Sequence, residues 1–298
     1  LWSAPQVHIR DFFVKTDLDK EYKDATLNVT AKIKNYGDKT AKAQTFTATL
    51  YDNAGKEIAK GNATTGKLLK SNQEEALNVK IPVTNPLKWT AETPNLYTVV
   101  LTNSEGEMLS SKVGFRKLEI DGRVFKVNGV PIKLKGVNRH EHWSDVGHAI
   151  TEAQMIRDLE VIKQGNCNHV RTSHYSNDPR WYELCDEWGI WLVAEANMEY
   201  HGYDYRFDEE PTIKAAIVDR NVANTENFKN HPSVIIWSLG NEGGGISTNL
   251  KAAMHAVKTI DSTRFVHYER FGIGSRNPSD FEGRMYGTAA DYADMAKN

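Results

Sequence analysis

The sequence has few cysteines, little net charge and no long apolar run. Its two cysteines, Cys167 and Cys185, form neither a dense disulfide framework nor a metal-ligand spacing, and we interpret them as buried free thiols. The net charge of −2 lacks the basic excess that nucleic acids or anionic membranes attract. No apolar stretch approaches the roughly 20 residues that span a bilayer. We therefore expect neither a nucleic-acid partner nor a membrane partner.

Residues 1–118 carry the alternating pattern of half-buried strands. Apolar side chains occupy every second position in segments 27–33, 46–50, 79–83 and 97–101. Turn signals rich in Asn, Asp and Gly separate such segments. About seven strands in this length predict an immunoglobulin-like β-sandwich. Because no polar cluster converges there, we expect a scaffold rather than a binding site.

Residues 119–298 alternate between short apolar strands and amphipathic helices. One-sided apolar spacing predicts helices over 152–164, 179–188 and 248–260, with Ser247 or Thr248 as a cap for the last. The predicted strands cover residues 132–136, 169–171, 190–193, 234–237, 265–267 and 284–286. Repeated strand–helix units predict a parallel sheet, either doubly wound or closed into a barrel. The first strand lacks a glycine-rich phosphate loop, which counts against a dinucleotide-binding fold.

Polar and aromatic side chains follow nearly every predicted strand. These strand ends carry residues 139–142 (RHEH), 173–175 (SHY), 195–201 (EANMEYH), 241–242 (NE), 268–269 (YE) and Tyr286. In a (β/α)8 TIM barrel the chemistry lies where strands end and helices begin. Six such ends in succession favour a partial TIM barrel over residues 119–298, with a shared cavity. We call these strand-end segments the rim.

The rim suits a polyhydroxylated substrate. Glycoside hydrolysis needs two carboxyl groups, one of them protonated, and Glu242 is the candidate acid. The alternative is that Glu242 caps the next helix or pairs with an arginine. Glu199 and His201 could hold Mg²⁺, which prefers oxygen ligands, or could form a salt-bridged loop. Trp143 could stack against a sugar ring.

Long segments of the chain resemble glycoside hydrolase family two, and most closely its bacterial β-galactosidases. In the first domain the resemblance covers residues 85–97 and 113–116, and in the second it covers residues 136–142, 170–175, 195–202 and 230–242. The resemblance implies a retaining β-galactosidase that removes terminal β-D-galactosyl residues from lactose or galactose-containing glycans. In such enzymes one glutamate protonates the leaving oxygen and a second forms a covalent intermediate.

The resemblance also assigns roles to residues at the substrate. By position, Glu242 would be the general acid/base, and Asn241 would bind the sugar 2-hydroxyl. His140 and His174 would contact the galactosyl hydroxyls and help to stabilise the transition state.

A metal site follows from the same resemblance. Glu199, His201 and Glu242 would ligate an active-site Mg²⁺, which would tune the acid carboxylate and order its loop. The full-length parent is expected to be a homo-oligomer.

The sequence departs from the family where the nucleophile is expected. The family carries that glutamate after a seventh strand, and we place only six strands before the chain ends in a helical pattern. We therefore expect an internal fragment, truncated after about strand six and inactive alone. Glu269 and Glu282 are substitute nucleophiles that we disfavour.

Other activities and locations stay open. A β-glucuronidase or β-mannosidase of the same family would use the same acid, although the histidines and the Glu199/His201 pair favour a galactoside. A non-catalytic carbohydrate-binding or scaffold protein is the alternative from another class. A cytoplasmic and a periplasmic location are equally compatible with two unpaired cysteines.

Overall fold

A computed structural model describes residues 3–66, 68–272, 274 and 276–297. The chain divides into two compact units. The first contains Leu1–Lys133 with the short segments Asp186–Gly189 and Lys229–Ser233, and the second contains the remaining residues. This division falls after the boundary at residues 118 and 119 that we predict from composition and periodicity.

In the described part of the first unit, nine strands precede residue 114. They are β1 (Val7–Leu18), β2 (Ala25–Asn35), β3 (Ala41–Lys42), β4 (Thr45–Tyr51), β5 (Glu57–Thr64), β6 (Leu68–Leu69), β7 (Glu74–Val83), β8 (Tyr97–Asn103) and β9 (Met108–Val113). One antiparallel sheet has the order β1-β2-β7, a second has the order β5-β4-β8-β9, and β3 pairs with β6.

The sandwich forms because one side of each main strand is apolar. In β2 every second residue is buried, from Ala25 to Asn35, and β7 and β8 repeat this alternation. The buried side chains of both sheets join one hydrophobic cluster that includes Leu27, Phe46 and Val99. Period-two burial of this kind is what a strand with one core-facing side produces. The predicted immunoglobulin-like sandwich is confirmed.

A small three-stranded sheet completes the first unit. It contains β10 (Leu118–Asp121), β11 (Val124–Val127) and β12 (Val130–Pro131), all antiparallel. Asn128 and Gly129, between β11 and β12, both have positive φ, as a two-residue Asn-Gly hairpin turn requires.

Strands and helices alternate through the rest of the chain. They are β13 (Gly136–Arg139), α1 (Glu152–Gln164), β14 (His169–Thr172), α2 (Pro179–Trp188), β15 (Trp191–Glu195), α3 (Pro211–Phe228), β16 (Val234–Ser238), α4 (Thr248–Ile260), β17 (Phe265–His267) and α5 (Ala289–Lys297). The five strands form one parallel sheet in chain order, from β13 to β17. Parallel strands in sequential order with helical connections are the wall of a TIM barrel, so the predicted partial barrel is confirmed.

The predicted helices lie where apolar spacing placed them. Met155, Leu159 and Ile162 form the buried side of α1, as predicted. The Ser247 side chain accepts a hydrogen bond from the Leu250 backbone N–H, so Ser247 is the N-cap of α4.

Two strand predictions need correction. Residues 284–286 form no strand, because Met285 and Tyr286 lie in a turn and Tyr286 has a φ of 54°, outside the extended region. The first barrel strand covers Gly136–Arg139 rather than residues 132–136, although it ends at Arg139 as expected.

Helix α3 is not predicted, because helices are predicted from one-sided apolar spacing and the buried side of α3 is largely polar. Asn221, Asn224 and Thr225 are buried together with Ile217 and Phe228. The Asn221 side chain donates to the Leu239 carbonyl and the Asn224 side chain donates to the Ala194 carbonyl. These hydrogen bonds attach α3 to the sheet without an apolar stripe. Among the described residues, no helix combines the length and apolar character that a membrane crossing needs.

Candidate active site

The loops after β15 and β16 lie side by side at the rim. Glu199 and Asn241 form an isolated parallel bridge, and the Asn241 N–H donates to the Met198 carbonyl at 2.9 Å. Gly240 makes this approach feasible, because a Cβ atom there would lie 2.1 Å from the Met198 carbonyl oxygen. The absence of a side chain at Gly240 therefore allows the two rim loops to come into contact.

Two glycines after Glu242 lie where the surrounding side chains leave no room for a Cβ atom. A Cβ atom on Gly243 would lie 2.4 Å from the Tyr200 ring, and one on Gly244 would lie 1.5 Å from an Asp208 carboxylate oxygen. Hydrogen bonds then fix this segment: the Gly243 N–H donates to the Tyr268 hydroxyl, and the Gly245 N–H donates to Asp208 Oδ2. Side chains larger than glycine would displace these supports.

Glu242 has a strained backbone. Its φ of 33° lies in the left-handed region that non-glycine residues seldom occupy. Its N–H donates to Glu269 Oε1 at 2.5 Å, and Arg270 donates to the carbonyl of the next residue, Gly243, at 3.0 Å. Strain held in place by surrounding hydrogen bonds is typical of functional positions.

The Glu242 carboxylate faces a cavity of about 520 Å³. The cavity is lined by His201, Glu242, Glu269, Arg270, Gly283, Arg284, Met285 and Tyr286. Glu242 Oε2 lies 2.7 Å from His201 Nε2, and the Tyr286 hydroxyl lies 3.5 Å from Glu242 Oε1. The side chain is 16% exposed, so the carboxylate is partly sheltered and still accessible to a ligand.

A buried carboxylate connects His174 with Asn241. Glu195 ends β15, and its Oε1 lies 2.7 Å from His174 Nδ1. Its Oε2 accepts from Arg171 Nε at 2.5 Å and from the Ser238 hydroxyl at 2.6 Å. A second guanidinium nitrogen of Arg171 donates to Asn241 Oδ1 at 2.9 Å. The predicted sugar-binding residues His174 and Asn241 thus share one network.

His140 lies next to this network. Its ring and the His174 ring stand edge to face with centroids 5.3 Å apart. Loss of hydration first, and then the charge of a protonated His174, lower the pKa of His140. A neutral imidazole is suited to accept or donate a hydrogen bond to a sugar hydroxyl.

The predicted magnesium ligands are brought together in part. His201 contacts Glu242 directly, and the bridge between Glu199 and Asn241 places Glu199 on the adjacent loop. Within the described part of the chain, no three His, Cys, Asp or Glu side chains already surround a metal position. Two carboxylates and one imidazole are nevertheless a suitable ligand set for Mg²⁺. The His201 side chain is 63% exposed, so its ring has space to reorient.

The two substitute nucleophiles have different surroundings. Glu269 is 7% exposed, its Oε1 accepts from the Glu242 N–H, and its buried Oε2 has no hydrogen-bond partner among the residues that the structure describes. Burial raises the pKa of Glu269 to about 7. Glu282 is exposed and accepts from the Gly274 N–H at 2.7 Å. A carboxyl with this raised pKa is only partly ionised at pH 7, and its one hydrogen-bonded oxygen is engaged with the Glu242 backbone, which counts against Glu269 as a nucleophile.

Sequence reasoning misses the roles of Arg171, Glu195 and Ser238. A signal is present, because Arg171 and Glu195 are charged residues within or at the end of short buried strands. Burial of a charge requires a partner, so their proximity could have been suspected. Trp143 belongs to a tight loop in which its backbone pairs with Gly147, and sugar stacking by its ring stays a prediction.

Family comparison agrees with the motifs that the structure gathers at the rim. The model of the glycosyl hydrolases family 2 TIM barrel domain matches residues 118–298, and the glycosyl hydrolases family 2 model matches residues 7–116. The chain belongs to glycosyl hydrolase family 2. The resemblance that we identify from the sequence is confirmed.

Curated relatives of this family 2 chain include bacterial β-galactosidases. The chain is 43% identical to a beta-galactosidase of Priestia megaterium, over 98% of the chain and 29% of that protein. It is 41% identical to one from Vibrio cholerae, over 92% of the chain and 27% of that protein. The chain therefore spans less than a third of the length of these relatives.

Solved structures with the same architecture include β-glucuronidases. A family 2 β-glucuronidase superposes with a TM-score of 0.78 at 21% identity, over 90% of this chain and 28% of that one. A Ruminococcus gnavus β-glucuronidase in complex with D-glucuronic acid gives a TM-score of 0.71 at 26% identity, over 88% of this chain and 42% of that one. The first likeness supports the fold alone.

Proposed function

We propose that these residues form part of the site of a retaining β-galactosidase, with Glu242 as its general acid/base. The observation that carries the proposal is the position of Glu242, whose carboxylate faces the cavity from a strained loop after a barrel strand. The identity of about 40% to β-galactosidases supports the choice of sugar.

Glu242 would act twice in the reaction. Its protonated carboxyl donates to the glycosidic oxygen as the bond to the leaving group breaks, and its carboxylate then removes a proton from the attacking water. Partial burial restricts the motion of the Glu242 side chain, which is 16% exposed. The cavity on its open side provides space for the leaving group.

Asn241, His174 and His140 would bind the galactosyl hydroxyls. Asn241 Oδ1 accepts from Arg171, which leaves the amide nitrogen of Asn241 to donate to the sugar 2-hydroxyl. A hydrogen bond at this hydroxyl strengthens in the transition state of glycosidases.

Glu199, His201 and Glu242 would hold Mg²⁺. The ion would supply positive charge next to the Glu242 carboxyl and would thereby tune its protonation. His201 and Glu199 would then connect the loop after β15 with the loop after β16. The homo-oligomer that the resemblance implies also remains a proposal.

The nucleophile would be a second glutamate outside these 298 residues. A retaining mechanism places the two carboxyl groups about 5 Å apart, with the nucleophile ionised. Glu269 is buried and holds the Glu242 backbone, and Glu282 accepts from a loop N–H, so neither is suited to attack. We therefore propose that the 298-residue chain is inactive alone.

Hydrolysis of an aryl β-galactoside in the presence of Mg²⁺ tests this proposal. We expect no turnover by the 298-residue chain. An extended form, carried as far beyond residue 298 as its β-galactosidase relatives reach, should be active. Glu242→Gln should lower the activity of the extended form at least 100-fold when the aryl leaving group is weakly acidic and needs a proton to depart. Turnover by the 298-residue chain that disappears in Glu242→Gln would contradict the absence of a nucleophile.

A β-glucuronidase is the second candidate, because two arginines line the cavity. A uronate carboxylate would need a cationic partner, and Arg270 and Arg284 are the arginines among the described lining residues. Arg270 already donates to the Gly243 carbonyl, and Arg284 pairs with Asp291 at 3.0 Å. A panel of aryl β-galactosides, β-glucuronides and β-mannosides with the extended form separates these activities.

A further inference from the structure

We propose that Glu195 is a positioning residue that sets the hydrogen-bonding direction of both His174 and Asn241. The inference rests on the proposed function, because these two residues are the proposed ligands of the sugar hydroxyls. Glu195 itself is 0% exposed, so it acts on a substrate only through its neighbours.

Glu195 acts directly on the ring of His174. A carboxylate only accepts hydrogen bonds, so His174 Nδ1, which lies 2.7 Å from Glu195 Oε1, must carry the proton. In the neutral imidazole the proton then sits on Nδ1, and Nε2 is left as an acceptor. Glu195 therefore selects the tautomer in which His174 accepts a hydrogen bond from a ligand.

Glu195 acts on the amide of Asn241 through Arg171. Glu195 Oε2 accepts from Arg171 Nε at 2.5 Å, and the same guanidinium donates to Asn241 Oδ1 at 2.9 Å. The rigid fork of the guanidinium links these two hydrogen bonds. The Asn241 oxygen is held on Arg171, and its amide nitrogen is left to donate. The buried Glu195 carboxylate thus leaves His174 Nε2 as an acceptor and the Asn241 amide nitrogen as a donor.

Glu195→Gln provides a directional test. The Arg171 guanidinium and the Ser238 hydroxyl both donate to the side chain at residue 195. The single carbonyl oxygen of glutamine must therefore accept both of these hydrogen bonds. The glutamine NH₂ group then faces His174 Nδ1, which must become an acceptor. We expect His174 to change from the Nδ1–H to the Nε2–H tautomer. Glutamate and glutamine have nearly the same shape, so packing around residue 195 is retained.

The tautomer is measured on the 298-residue chain by long-range ¹H–¹⁵N correlation spectra with ¹⁵N-histidine labelling. Spectra are recorded at about pH 8, above the usual histidine pKa of about 6.5, and His174→Gln identifies the His174 signals. Asp186→Asn is the matched control, because Asp186 accepts from His231 Nδ1 at 2.6 Å in the first unit. That variant should leave the His174 signals unchanged.

Two results would overturn the inference. One is an Nε2–H tautomer of His174 in the wild-type chain, a result that needs no variant to fold. The other is an unchanged Nδ1–H tautomer in folded Glu195→Gln. The wild-type spectrum keeps the test decisive even where the variant does not fold.

Kinetics of the extended form provide a second readout. We expect Glu195→Gln to lower kcat/KM for an aryl β-galactoside about 10- to 100-fold, the range found for residues that orient metal-bound histidines. Combined with His174→Gln, it should cost little more than His174→Gln alone, and additive losses would contradict the inference. An inactive wild-type extended form would defeat the proposed function, whereas the tautomer of His174 would still test the role of Glu195.

Discussion

At the scale of single residues, Glu242 combines a reactive carboxyl with an unfavourable backbone. Its left-handed φ of 33° is compatible with glycine and strained for other residues. The Asn241–Gly243 segment keeps this conformation because Glu269, Tyr268 and Arg270 bind its backbone. Here the surrounding structure maintains a conformation that residue 242 itself disfavours.

A pair of substitutions measures this strain. We expect Glu242→Gly to exceed Glu242→Ala in free energy of unfolding by about 1 kcal/mol, because only glycine relieves the left-handed backbone. Urea denaturation gives the difference. The same pair at Arg157, an exposed position within α1, should show the opposite order by a similar amount. Equal stabilities of the two residue-242 variants would argue against strain.

Glu269 should make stability depend on pH. Burial raises its pKa from 4.5 to about 7, so between these values the folded chain binds more protons than the unfolded chain. The free energy of unfolding therefore loses up to about 3 kcal/mol from this group as pH rises from 4.5 to above 7. Glu269→Gln should remove this loss and still accept from the Glu242 N–H.

Urea denaturation at pH 5 and pH 8 in EDTA checks the pH dependence. Glu282→Gln is the control, since that carboxyl is exposed. The difference in free energy of unfolding between pH 5 and pH 8 should shrink in Glu269→Gln and persist in Glu282→Gln. An identical pH dependence in both variants would show that Glu269 titrates normally.

At the scale of elements, α3 is attached to the sheet by polar side chains. Asn224 donates to the Ala194 carbonyl of β15 and accepts from the Ser176 hydroxyl at 2.8 Å. Loss of such a buried partner leaves polar groups unsatisfied. The helix thereby supports the strand that carries Glu195.

Alanine substitutions on opposite sides of α3 test its attachment. We expect Asn224→Ala to lower the free energy of unfolding by about 1–3 kcal/mol. Asp219→Ala, on the exposed side of the same helix, should change it by less than about 0.5 kcal/mol. Similar losses in the two variants would mean that the buried hydrogen bonds of Asn224 contribute little.

Elements whose sequence signal is local are predicted correctly, and elements that depend on distant contacts are not. Helices α1 and α4 are predicted because their apolar residues recur every three or four positions, and Ser247 is a local cap. Helix α3 is not predicted, because the asparagines on its buried side form their hydrogen bonds only once the sheet has folded. The strand predicted at 284–286 is wrong because nothing local announces the left-handed backbone of Tyr286.

The same distinction applies to the candidate site. The rim motifs point to Asn241, Glu242 and the 195–201 segment because each lies directly after an apolar run. The hydrogen bonds of the Glu195 network join residues that are 21 to 70 positions apart in sequence. Such a network depends on which strands become neighbours, and sequence spacing alone does not specify its hydrogen bonds.

At the scale of the whole molecule, the proposed metal site should link ligand binding to stability. A ligand that binds only the folded state stabilises it by about 2.7 kcal/mol at 100 times its Kd. We expect Mg²⁺ to raise the Tm of the chain, and Glu199→Gln or His201→Gln to abolish this rise. Differential scanning fluorimetry measures it. Glu57→Gln, on the exposed part of β5, should retain the rise. An equal shift in all variants would indicate nonspecific binding.

The role of Glu242 is tested most directly by leaving groups of different acidity. In the extended form, Glu242→Gln should lower kcat/KM by roughly 10²–10⁴ for an alkyl or weakly acidic aryl β-galactoside, whose departing oxygen needs a proton. For 2,4-dinitrophenyl β-galactoside, whose leaving group departs without protonation, the loss should be much smaller. Equal losses for both substrates, or no loss for either, would contradict Glu242 as the general acid.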